Sequence, residues 1–140
     1  MLTRVSKEFH WEMSHRLPRH AGLCKNIHGH TYRLRLDLFG TPDECGIVVD
    51  FFDIDRIMRP IIDRLDHAFL CEKSDTLILD FLQANNFKCE IFDAPTTSEN
   101  IVVYLADLAE PKFRALGNIS RMTIRVYETI GVFAEITREI

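Results

Sequence analysis

His30-Thr31-Tyr32-Arg33-Leu34-Arg35-Leu36-Asp37-Leu38-Phe39 sets Tyr32, Leu34, Leu36 and Leu38 on one parity and Arg33, Arg35 and Asp37 on the other. Successive side chains of an extended chain point to opposite faces, so the alternation predicts a strand over about 30–39, one face in a core and one in water. Upstream, Phe9, Trp11 and Met13 alternate with His10, Glu12 and Ser14, which predicts a partner strand ending near His15. Downstream, Thr41-Pro42-Asp43-Glu44-Cys45-Gly46 reads as a turn.

Beyond the turn the period changes. Ile47-Val48-Val49-Asp50-Phe51 leads into Ile54, Ile57, Met58, Ile61, Ile62 and Leu65, whose spacing predicts a helix over about 53–65. Thr96-x-x-Glu99 before Ile101-Val102-Val103-Tyr104-Leu105 has the form of a capping box and predicts a second helix from Thr96 to Pro111 or Gly117. Two closing strands, about 119–128 and 132–138, turn at Ile130-Gly131. Between the helices, 76–83 reads as a short helix and 88–92 as a short strand. Two strands, two main helices and two strands predict an α+β fold, a four-stranded antiparallel sheet with both helices packed on one face. No repeat, linker or low-complexity tract divides the chain, so residues 1–140 are expected to form one domain.

A chain of 140 residues, 46% of them hydrophobic, buries a core without disulfides or a structural metal. A net charge of -4 speaks against a general nucleic-acid binder. Met13 to Leu36 is a local exception: Arg16, Arg19, Lys25, Arg33 and Arg35 occur there without an acid, a stretch suited to an anionic ligand. No apolar run approaches the ~18 residues that span a bilayer. Met1-Leu2-Thr3-Arg4-Val5-Ser6-Lys7 lacks the apolar segment of a signal peptide. A cytoplasmic location is therefore expected, with no membrane partner. Cys24, Cys45, Cys71 and Cys89 form no CxxC pair and are expected to be reduced, each serving packing or chemistry.

The densest chemical signal is Cys24-Lys25-Asn26-Ile27-His28-Gly29-His30. Two histidines one residue apart on an extended chain project to the same side, and His30 shares the inward parity of Tyr32 and Leu34. His15 shares the inward parity of Phe9, Trp11 and Met13. Alone, a His-x-His describes two packed strand histidines. With an inward His15 and a nearby thiol, it describes three neutral imidazoles around an open position, the arrangement of a catalytic zinc. Cys24 as a fourth ligand would instead close a structural zinc site of one cysteine and three histidines, in a non-catalytic protein; spacing leaves both open. Asp66-His67 reads either as a helix end, where histidine suits the dipole, or as a proton relay with Asp66 orienting the imidazole. Glu128 shares the parity of Met122, Ile124 and Val126. A carboxylate there is a strand end reaching water or an acceptor for a ligand with two N–H donors, such as an amino-pyrimidinone ring. Glu99 is accounted for by capping, with a binding role equally open.

His15-Arg16-Leu17, Cys24-x-x-x-His28-Gly29-His30, Leu65-Asp66-His67, Thr97-Ser98-Glu99-Asn100 and Glu128-Thr129 occur in the order found in the family of 6-pyruvoyltetrahydropterin synthase and 6-carboxytetrahydropterin synthase, which this chain resembles from about Phe9 to Ile136. The resemblance implies a tunnelling fold (T-fold) whose subunits join sheets into a barrel, usually as a dimer of trimers, with active sites between subunits. It implies zinc held by His15, His28 and His30, Cys24 as catalytic base, and Asp66 and His67 as a relay across the substrate. It further implies Glu128 as the anchor of the pterin ring, with Thr97, Ser98 and Glu99 lining the pocket. The implied substrate is 7,8-dihydroneopterin triphosphate. One branch eliminates triphosphate to give 6-pyruvoyltetrahydropterin. The other releases acetaldehyde and triphosphate and leaves 6-carboxy-5,6,7,8-tetrahydropterin, a step towards queuosine. The three-residue gap between Cys24 and His28 resembles the second branch. Leu70-Cys71 stands where relatives commonly have Leu-Asn, 71–95 forms a longer excursion than in compact members, and Glu12-Met13 replaces the usual small residues.

Overall fold

The computed structural model describes residues 1–140, in which six strands and three helices follow one another: β1 (Thr3–His15), β2 (His28–Gly40), α1 (Phe51–Leu65), β3 (Ala68–Glu72), α2 (Thr76–Ala84), β4 (Cys89–Phe92), α3 (Ser98–Arg114), β5 (Ile119–Thr129) and β6 (Val132–Glu139). The strands form one sheet in the order β4-β3-β1-β2-β5-β6. The expected four strands, β1, β2, β5 and β6, pair antiparallel.

Two features depart from the expected architecture. The sheet has six strands rather than four and is mixed, because β3 pairs parallel to β1 and to β4. α1 carries the chain to the C-terminal end of β1, where β3 meets only Met13 and Ser14. All five residues of β3 are buried, so it lacks the alternation by which a half-buried strand is recognised. The second departure is α2. Leu70 joins the main core, whereas its neighbours Phe69 and Cys71 pack with Ile78 and Leu82 of α2 in a small separate cluster. Adjacent strand residues point to opposite faces. α2 therefore covers the far face of the sheet edge, and only α1 and α3 share the face expected for both helices.

α1 begins at Phe51, two residues before the predicted start, because the Asp50 side chain accepts from the Phe52 N–H and caps it. Ile54, Ile57, Met58, Ile61, Ile62 and Leu65 form its buried face. They pack with Ile101, Leu105 and Phe113 of α3 on Phe9, Leu34, Leu36, Leu38, Ile124 and Val126. Each such side chain contributes about 1.5–3 kcal/mol on burial, so this layer holds the β1–β2 pair rigid. Trp11 and Tyr32 face each other across β1 and β2, stacked 5.2 Å apart at 12°. Trp11 is the only tryptophan in the chain. No helix is long and apolar enough to cross a membrane.

Candidate metal centre

The register of β1 on β2 brings three histidines together. His15 lies opposite His28, and Met13 opposite His30, so the last turn-facing residue of one strand meets the first two inward residues of the other. One ligating nitrogen from each of His15, His28 and His30 lies within 4.8 Å of the other two. The hydrogen bonds fix which nitrogen is free. His15 Nδ1 donates to the Thr96 carbonyl at 2.8 Å, and His28 Nδ1 donates to the Asn26 carbonyl at 2.7 Å. A carbonyl only accepts, so both imidazoles keep the proton on Nδ1 and leave the Nε2 lone pair for a ligand. Nε2 of His15 and of His30 is buried without a partner, an arrangement folded proteins rarely leave unanswered.

The charge state agrees. Burial, reinforced by His28 and His30, pushes His15 down to about 4, against the ordinary 6.5. Burial lowers His30 as well, although Glu128 opposes it. Imidazoles ligate metal only when neutral, so the enclosure that disfavours protonation prepares the site for a cation. Three imidazoles on rigid strands, with burial disfavouring the charged form of His15 and His30, fit a divalent ion such as zinc with a further position open.

Glu128 sits where the β5–β6 register shifts between Tyr127 and Thr129. Such a bulge re-aims a side chain, and here the carboxylate lies 3.9 Å from His15 Nε2. The start of α3 corrects the expected capping box. Thr97 rather than Thr96 is the N-cap, accepting from the Asn100 N–H, and the helix starts at Ser98. Thr96 is fully buried and otherwise engaged: its carbonyl takes the His15 proton and its hydroxyl donates to the Arg16 carbonyl at 3.3 Å. Thr97, Ser98 and Glu99 follow Thr96 directly at the start of α3. Thr96 was invisible as a site residue because its contribution is a backbone carbonyl brought in from 81 residues away.

Cys24 lies half-buried in a 3-10 turn, Leu23–Lys25, and its carbonyl accepts from Leu17 N–H at 2.8 Å. Its sulfur is not among the atoms gathered within 4.8 Å. Asp66 and His67 pair with each other, and no hydrogen bond, ion pair or ring contact joins them to the triad. Asp66 ends α1, accepts from the Glu12 N–H and pairs with His67 Nδ1 at 3.0 Å. The Glu12 N–H, foremost, and His67 hold the Asp66 carboxyl below the usual range. His67 has a left-handed backbone (φ 57°), sustained by its own N–H donating to the Glu12 carbonyl. It lines a cleft of about 510 Å³ with Glu12, Thr31, Phe69 and Phe87, and His30 of the triad borders the same cleft. The Glu12 and Thr31 side chains, bonded to each other at 2.8 Å, alternate with Met13 and His30 and so lie on the sheet face opposite the His30 imidazole. The basic stretch is also less free than its composition implies. Arg16 is paired with Asp75, Arg19 with Glu72 and Arg35 with Asp37.

Known proteins resemble this chain in sequence and in fold. A family model described as 6-pyruvoyl tetrahydropterin synthase matches residues 4–139. A 6-carboxy-5,6,7,8-tetrahydropterin synthase from Haemophilus influenzae is 33% identical over 140 residues, covering 94% of this chain and 96% of the relative. A protein of the same name from Rickettsia conorii is 25% identical, covering 96% of this chain and 100% of the relative. Among solved structures, 6-pyruvoyl tetrahydropterin synthase from Plasmodium vivax superposes with a TM-score of 0.80 at 18% identity, covering 100% of this chain and 99% of that one. An uncharacterized protein from Wolinella succinogenes superposes with a TM-score of 0.83 at 19% identity, covering 99% of each.

Proposed function

The chain belongs to the 6-pyruvoyl tetrahydropterin synthase family and has its T-fold, and from that premise we propose that it is a zinc-dependent lyase acting on 7,8-dihydroneopterin triphosphate. The products in this reading are 6-carboxy-5,6,7,8-tetrahydropterin, acetaldehyde and triphosphate, a step towards queuosine and other 7-deazapurines in the cytoplasm. The observation that carries it is the cluster of ligating nitrogens of His15, His28 and His30, with Nε2 of His15 and of His30 buried without a partner. Relatives named 6-carboxy-5,6,7,8-tetrahydropterin synthase support the choice of branch.

His15, His28 and His30 would hold the zinc, which would supply Lewis acidity toward the C–H beside the side-chain hydroxyls of the substrate. Cys24 takes that proton, from the turn that enters β2. Glu128 accepts the ring N–H donors of the pterin, and Thr97, Ser98 and Glu99 line its pocket at the start of α3. His67, oriented by Asp66, returns protons from the opposite side. Within one chain no hydrogen bond, ion pair or ring contact joins Asp66 or His67 to the triad. The pair therefore serves the site of a second copy in a homo-oligomer, read here as a dimer of trimers.

Incubation with 7,8-dihydroneopterin triphosphate, followed by mass spectrometry of the pterin and assay of the aldehyde, tests the reaction. Acetaldehyde with the carboxy product is expected; triphosphate release with a pyruvoyl product assigns the other branch. Cys24→Ala separates chemistry from structure, since a catalytic thiol leaves the metal in place when removed, whereas a fourth ligand takes the metal with it.

A further inference from the structure

Arg16 follows the ligand His15 directly, and both its guanidinium and its carbonyl are engaged. Its guanidinium grips Asp75 with two prongs, Nε to Oδ2 and Nη2 to Oδ1, each at 2.6 Å. Its carbonyl accepts from the Thr96 hydroxyl at 3.3 Å, and the Thr96 carbonyl takes the His15 Nδ1 proton at 2.8 Å. The next residue, Leu17, donates to the Cys24 carbonyl and closes the loop that carries the thiol. Three residues on, Arg19 holds Glu72 at 2.6 Å. Asp75 and Glu72 come from the β3–α2 junction, which thus touches the Cys24 loop at two charged points and the ligand strand through one of them.

Stability alone is a poor account of this arrangement. The Asp75 carboxylate is 4% exposed, and a buried ion pair is often no more stabilising than well-packed apolar side chains of the same size. What the two-pronged contact fixes is direction, because a planar guanidinium on a carboxylate has one favourable plane. We propose that Asp75, acting through Arg16, is a positioning residue that sets the Cys24 loop relative to the metal ligand His15. Part of the 71–95 excursion then serves the site by bracing it from behind. The turnover arm of the test rests on Cys24 being the proton acceptor; the labelling arm does not.

Asp75→Ala removes the grip, and Arg16→Lys keeps the charge but not the fork, so the second variant carries the test if the first fails to fold. Metal-loaded protein is treated with iodoacetamide and alkylation at each cysteine is followed by peptide mass mapping. Both variants are expected to alkylate Cys24 about threefold to tenfold faster through local loosening of its loop. Cys45, on a distant exposed turn, should react at its wild-type rate and the metal should stay bound. Turnover should fall about tenfold to a hundredfold in kcat, with KM changing less than about twofold, as expected when a reacting group is displaced by an ångström or less. Unchanged Cys24 labelling, or Cys24 and Cys45 rising together, overturns the proposal. Full turnover in Cys24→Ser would overturn the role of the thiol as base without touching the labelling result.

Discussion

The antiparallel block β1-β2-β5-β6 and the edge β4-β3 with α2 are built from different materials. In the block, one face of every central strand is apolar and the main core of 27 buried residues lies under α1 and α3. At the edge, a core of four residues, Phe69, Cys71, Ile78 and Leu82, is supplemented by the Arg16–Asp75 and Arg19–Glu72 pairs. The block carries His15, His28 and His30 on strands that cannot shift register without exposing a whole apolar face. The edge reaches the main core only through Leu70 and Phe92, pairs with β1 at two residues, and is otherwise held to the block by directed polar contacts. A site whose ligands must not move is placed on the first kind of structure, and loops that surround it are fastened by the second.

Several measurements break or sharpen that difference. The largest effect is expected from His30→Ala, which removes a ligand from the locked block: metal content should fall well below one ion per chain and turnover by about a thousandfold, matching the loss of several kcal/mol of Lewis-acid stabilisation. Retained metal and activity would show that the triad is not the metal centre. Next come paired truncations followed by denaturant unfolding. Leu36→Ala in the block should cost about 3–4 kcal/mol, within the usual range for a buried leucine. Leu82→Ala at the edge, where fewer neighbours are lost, should cost about 1–2 kcal/mol. Equal costs would erase the difference between the two cores.

Acid should separate the regions as well. His15 binds its proton near pH 4 when folded and near 6.5 when unfolded. Between those values the unfolded chain holds more protons, so the stability of metal-free protein falls as pH drops from about 6.5 to about 4, by about 2–3 kcal/mol. The edge responds later. The Arg16 guanidinium holds the Asp75 carboxyl below its ordinary 3.8, so that contribution is present above 3.8 and lost only as pH falls further. Thermal unfolding of metal-free protein across this range should show the first loss abolished in His15→Asn, a variant without an imidazole to titrate. The smallest effect is expected in amide exchange, where α2 should open ahead of β2 by a modest margin.

The same difference explains what could be read in the sequence. β1, β2, β5 and β6 were legible because each has a wet face, and alternation along Tyr32 to Leu38 records that face residue by residue. The triad was legible for the same reason, since parity alone sends His15, His28 and His30 inward. β3 was not, because Ala68-Phe69-Leu70-Cys71-Glu72 is buried on both faces and has no polar beat to follow. Thr96 was assigned to a capping box by spacing, although its hydroxyl is taken by Arg16 and its carbonyl by His15. Local rules describe competition among neighbours in sequence, and here the winning partners lie 80 and 81 residues away.

One consequence of the β1–β2 register is optical. The single tryptophan, Trp11, stacks on Tyr32, and the Tyr32 ring stands edge-on to His30 at 5.4 Å and to His15 at 6.3 Å. Anything that binds among the imidazoles perturbs the ring on which the only indole chromophore lies. Its emission band is therefore a built-in gauge of whether the site is filled, available in unlabelled protein.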